Sequence, residues 1–156
     1  MKKYGVAFIF VAAVVLVMLM TPFSSVTAQP MCGPKPAMVE SILNKFNEKE
    51  TEYGIDGRSA SYVGVYVNAK TKDFTFTMTP KGQPSILCAI ATGTQWEQLP
   101  GISKGIISDG SLISISYNED SGLWQLMYVN IETGNISMVT SGNSWERIIY
   151  TNDSST

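Results

Sequence analysis

The amino-acid sequence predicts an α+β domain: one N-terminal helix packed on an antiparallel β-meander of about six to eight strands, built from two similar units. Three observations carry this expectation. Apolar residues recur at helical spacing once, over residues 37–53. After Arg58 the apolar period becomes two, with turn-forming residues between the runs. A second set of alternating runs then repeats the first about 50 positions later.

Residues 1–28 read as an export signal. Lys2 and Lys3 give a positive start, residues 4–20 are almost wholly apolar, and Val26-Thr27-Ala28 ends the segment with residues that suit signal peptidase. Cleavage is expected before Gln29. The alternative is a helix over residues 4–20 that stays attached and anchors the chain in a membrane as an envelope component. Residues 29–150 form one exported domain, periplasmic or extracellular, and residues 151–156 a polar tail. Without the signal, nine basic residues face 13 acidic ones, a net charge of −4. That balance, with no basic cluster, excludes nucleic acid as partner and argues against binding to anionic lipid.

Pro36 suits the first turn of the helix, and Gly54 reads as its terminator. Val39, Ile42, Leu43, Phe46 and Tyr53 share its apolar face. Val63, Val65 and Val67 then alternate with Tyr62, Gly64 and Tyr66, and Phe74, Phe76 and Met78 alternate with threonines. Residues 86–91 form a third strand, apolar on both faces and therefore covered. Gly93-Thr94-Gln95-Trp96-Glu97 closes this first unit, residues 31–99. In the second unit, residues 105–150, Ile113, Ile115 and Tyr117 answer Val63, Val65 and Val67, while Trp124, Leu126 and Tyr128 answer Phe74, Phe76 and Met78. Gly142-Asn143-Ser144-Trp145-Glu146 answers the closing motif, and no second helix fits between the units.

Cys32 and Cys88 are the only cysteines. In an oxidising compartment they are expected to pair, stapling the helix to the sheet; closing so long a loop is worth about 4 kcal/mol. A redox or metal role would need a CxxC motif or histidines, and the chain has neither.

Cys32, Tyr53-Gly54, Cys88, Gly93, Trp96 and Glu97 together resemble a pattern in small exported proteobacterial proteins of unknown function. There a cysteine precedes one helix, a Tyr-Gly pair ends it, and a short meander finishes in a cysteine followed by Gly-x-x-Trp-Glu. The resemblance covers residues 31–99 and implies a fold and export, but no activity.

With no histidine, the usual nucleophile-activating pairs and the commonest zinc ligands are missing, and no phosphate-cradling glycine loop is present. No cofactor or metal is expected, and the chain reads as a non-enzymatic binding or interaction protein. Two features carry alternatives. Tyr62 and Tyr66 lie on the strand face opposite the valines, where they form either a binding surface for a protein, peptide or glycan, or one side of a second packed layer. Glu97 and Glu146 close the two units; facing each other they would make the acid/base pair of a glycan hydrolase, and otherwise they are solvated strand ends beside core tryptophans. The turn Asn118-Glu119-Asp120 is oxygen-rich but lacks the spacing of a calcium loop.

Overall fold

The computed structural model describes residues 30–148. The predicted export signal, the alternative anchor over residues 4–20 and the tail 151–156 lie outside the described residues. The elements run β1 (Met31–Pro34), α1 (Lys35–Phe46), β2 (Lys49–Asp56), β3 (Tyr62–Val67), β4 (Phe74–Thr79), β5 (Ile86–Leu99), β6 (Ile102–Ile107), β7 (Leu112–Tyr117), β8 (Trp124–Val129) and β9 (Ile136–Arg147).

The expected open meander is wrong. The chain is mostly β, and strands β2 to β9 close into an eight-stranded antiparallel barrel. Closure comes from the two long strands. The first half of β5 pairs with β4 and the second half with β6. In the same way β9 pairs first with β8 and then with β2. The Gly-x-x-Trp-Glu segments therefore do not end the units. They are where each long strand changes neighbours, at Gly93 and Gly142. Full closure satisfies the backbone within the ring and removes the edges of an open sheet there.

Two further expectations are corrected. The helix stops at Phe46, not near Tyr53, because Asn47 takes a left-handed conformation with φ 53°. Residues 49–56 are strand β2, and Gly54 lies inside it under the Trp145 ring. Of the predicted apolar helix face, Ile42 is buried and Val39 partly so, whereas Leu43 and Phe46 remain exposed. The helix packs on the outside of the barrel, with Ile42, Met38 and Val39 against Tyr66 and Leu87.

The core fills the barrel. Val63, Val65, Val67, Phe74, Phe76, Trp96, Ile113, Ile115, Trp124, Leu126 and Trp145 form one buried cluster. These are the inward positions of alternating strands, and each large apolar side chain contributes about 1.5–3 kcal/mol on burial. Cys32 and Cys88 form a disulfide directly across the β1–β5 pairing. It staples the helix to the sheet through β1, which leads straight into α1 at Lys35.

Backbone contacts recur about half the chain apart. Trp96 donates its N–H to the Lys72 carbonyl and Trp145 to that of Gly122; Ser108 donates to Thr92 and Gly57 to Ser141. A β-carbon on Gly93 would lie 2.1 Å from the Ile106 carbonyl oxygen, and one on Gly142 would lie 1.9 Å from that of Ile55. Backbone cannot yield to such overlaps without separating the strands that close the ring. Gly93→Ala and Gly142→Ala are each expected to destabilise the protein by at least about 3 kcal/mol in urea unfolding.

Candidate functional site

Inside one end of the barrel sits an acidic side chain with no access to solvent. Glu52, on β2, is 0% exposed. Its Oε1 accepts the indole N–H of Trp96 at 3.0 Å and the side-chain amide of Gln98 at 2.9 Å. Its Oε2 accepts the indole N–H of Trp145 at 3.3 Å. Three N–H donors replace the water lost on burial, and hydrogen bonds to a carboxylate are the stronger kind. Glu52 is a clamp between β5 and β9, walled off from any substrate.

The tryptophans are placed in matching ways. Trp96 packs on Phe74 with ring centroids 4.7 Å apart, and Trp145 packs on Trp124 at 4.9 Å. Each pair lies over a glycine of the other half, Gly105 beneath Trp96 and Gly54 beneath Trp145. Ser103, which faces inward on β6 much as Glu52 does on β2, is fully buried, and its hydroxyl has no hydrogen-bond partner.

Arg147 closes this end. Its guanidinium donates to the Leu99 carbonyl at 2.8 Å, lies 3.7 Å from the Glu119 carboxylate and stacks over Tyr117, 5.2 Å from the ring centre. Burial raises the Tyr117 hydroxyl's pKa against the opposing pull of Arg147. A cleft of about 270 Å³ adjoins Trp96, lined also by Thr51, Lys72, Glu97 and Gln98. A shallower one of about 450 Å³ lies over Tyr117, Leu123 and Trp124. In the first, the Thr51 hydroxyl donates to the Val65 carbonyl and Glu97 pairs with Lys104; the second is lined by serines without an acidic or basic side chain.

The tyrosines of β3 have divided roles. Tyr66 is buried beneath α1, where burial and the nearby Glu50 push its hydroxyl up to about 12. The second packed layer is thus the outcome at Tyr66. Tyr62 is half-buried: it stacks on Tyr53 at 5.6 Å, donates to Glu50 at 2.9 Å and carries Lys35 over its ring at 5.4 Å. Burial, followed by the charge of Glu50, raises its hydroxyl strongly. Tyr53 donates to Glu146, and that bond raises the Tyr53 hydroxyl as well. These partners tie up the polar tips of the aromatic wall.

The structure does not bring Glu97 and Glu146 together. They sit on β5 and β9, four strands apart around an eight-stranded ring and so on opposite walls. Both are exposed and face outward; Glu97 pairs with Lys104 at 3.3 Å, and Glu146 with Tyr53. Asn118 accepts the Asp120 and Ser121 amides at 3.0 and 2.9 Å, the same turn that Asn68 builds with Lys70 and Thr71. Among the described residues, no group of three or more acidic or cysteine side chains could hold a metal ion, and no helix is long and apolar enough to cross a membrane. The disulfide fits an exported protein.

Sequence reasoning missed Glu52, because a carboxylate at an inward strand position breaks the apolar alternation that marks a strand. It also missed Asp56 and Glu48. Asp56 turns the β2–β3 corner. Burial pushes its carboxyl up, but the Ser59 and Thr140 hydroxyls and the Ser59 and Arg58 amides outweigh this and hold it at about 2. Glu48 is buried beneath the helix end with Oε2 unpartnered, and burial raises its pKa. Comparison with protein-family models, curated proteins and solved structures finds no match.

Two outcomes follow from these geometries. Glu52→Leu strands two indoles and an amide, and is expected to cost at least about 3 kcal/mol and to red-shift tryptophan emission. Asp56 binds its proton more weakly folded than unfolded, so its stabilisation is present above its ordinary 3.8 and is lost as pH falls toward about 2. Asp56→Ala should therefore lower stability by about 1–2 kcal/mol at neutral pH and flatten the acid limb of a thermal-melting profile between those values.

Proposed function

We propose that this chain is a small exported, non-enzymatic binding protein that engages a protein partner through the outer wall of strands β6 to β9. It is of the same kind as the exported proteobacterial proteins whose Cys–helix–Tyr-Gly–Cys–Gly-x-x-Trp-Glu pattern residues 31–99 resemble. One observation carries the reading: the two outer walls are unequal. The wall of β3 to β5 is covered by β1 and α1. The opposite wall carries Ile131, Ile136, Met138 and Val139 in the open. A filled barrel leaves recognition to its exterior. The cover over β3 to β5 exposes Met31, Leu43 and Phe46 of its own, whereas the opposite wall exposes apolar side chains of the barrel's own strands, and such groups suit a protein better than a glycan or a small polar ligand. The recurrence of contacts half a chain apart supports two copies of one unit, of which the first alone acquired its own cover.

The alternative of a carboxylate hydrolase draws no support from Glu97 and Glu146, which face away from each other on opposite walls. The test is site-specific photo-crosslinking in the native cell. A photoreactive side chain at position 138 is expected to give a discrete cross-linked species, and one at Lys81, on the far β4–β5 turn, to give none. Equal labelling from both positions, or none from 138, would overturn the proposal.

A further inference from the structure

Strand β9 has an open edge where β5 has a covered one. The two strands correspond in register: Cys88 and Ala89 pair with β4 as Ser137 and Met138 pair with β8, down to the bulges after Phe76 and Leu126, which sets Leu87 at the place of Ile136. On the other side of β5, residues 86–89 pair with β1, an uncharged extended segment, Met-Cys-Gly-Pro. On the other side of β9, pairing with β2 starts only at Gly142. Among the described residues, Ile136, Ser137 and Met138 therefore pair with β8 alone, and Val139 is the bulge residue between Met138 and Thr140. The burden of exposure follows: Leu87 is 1% exposed, whereas its counterpart Ile136 is 65% and Met138 51%.

The backbone of this edge is ready to accept a strand. Asn130 donates to the Asn135 carbonyl across the β8–β9 turn at 3.0 Å. Alternation from that pair turns Ser137's N–H and C=O toward β8, and those of Ile136 and Met138 outward. Exposed edges are ordinarily blunted by lysine, proline or a cover. Pro34 and the disulfide do this for β1. Residues 136–139, Ile-Ser-Met-Val, carry no charge and no proline.

Resting on the reading of this wall as an interaction surface, we infer that the open edge of β9 pairs antiparallel with the same edge of a second copy, joining two barrels through a continuous β8–β9–β9–β8 sheet. Two properties single out a second copy. A twofold axis through an edge yields the antiparallel register by symmetry, each residue meeting its own kind in exchanged positions. Residues 136–145 hold no charged side chain, so the self-pairing sets no like charges against each other. The occupant is moreover of the same chemistry as β1, an uncharged extended strand.

The experiment is sedimentation of the exported protein, as recovered after processing, from low to high micromolar concentration. A reversible dimer is expected. Ile136→Pro removes an outward N–H without touching the β8 ladder, and Met138→Lys keeps the backbone and places a charge at the contact. Each should raise the dimer dissociation constant at least about tenfold while thermal unfolding stays cooperative. Met138→Lys guards against misfolding of the proline variant. A wild-type monomer throughout, or a dimer that ignores both substitutions, overturns the inference. A monomer that still cross-links to another protein from position 138 would sink the self-pairing alone and leave the binding role standing; a monomer with no cross-link would sink both.

Discussion

Two indole N–H groups, one from each half of the chain, end on the two oxygens of a single carboxylate. The arrangement around Glu52 sets conditions that much of the barrel obeys. A tryptophan buried in a filled ring needs an acceptor for its one donor; Trp124 finds the backbone carbonyls of Ile55 and Asn143, whereas Trp96 and Trp145 turn to a side chain. Glu52 supplies both acceptors at once, which makes β5 and β9 depend on β2. To receive the rings, Gly54 and Gly105 leave room on the facing strands, and Gly93 and Gly142 let the long strands pass within contact of the carbonyls of Ile106 and Ile55. Remove the clamp and the tryptophans have no polar partner; remove the glycines and they have no place.

This explains what could be read in the sequence and what could not. Strands β3, β4, β7 and β8 were legible, since their inward positions hold Val63, Val65, Phe74, Phe76, Ile113, Ile115, Trp124 and Leu126. The closing strands were hidden. On β2 the inward positions are Glu52 and Gly54, and on β6 they are Ser103 and Gly105, because these walls give way to the tryptophan rings. A strand lined with small and polar residues shows no apolar period of two. The Lys49–Asp56 segment instead continued the helical spacing of α1 as far as Tyr53. The left-handed turn at Asn47 that separates them left no mark that spacing alone could detect.

The candidate surface was half legible. The Tyr62 and Tyr66 face was visible, but its cover was not, because the helix was placed by its own stripe and not by what lay opposite. The bare wall was harder still: Ile136, Met138 and Val139 look in sequence like any core strand. Only the register of β9 against β2, which leaves residues 136–139 without a second neighbour, sets them apart. The aromatic wall and the bare wall occupy comparable positions in the two halves, and the difference between them is the conformational entropy spent on ordering β1 and α1 over the first.

Cys32 and Cys88 stand 56 residues apart in the chain and face each other across β1 and β5. Synthesis delivers the first thiol well before its mate. The arm that carries it lies outside the barrel, so the ring can close while the arm is still loose. Closure of the ring does not wait on oxidation, and the bond, once made, fastens α1 down over Tyr66 and Leu87. With two thiols a single chain has one pairing to make and none to undo. Maturation therefore calls for an oxidant alone, with no catalyst of disulfide rearrangement.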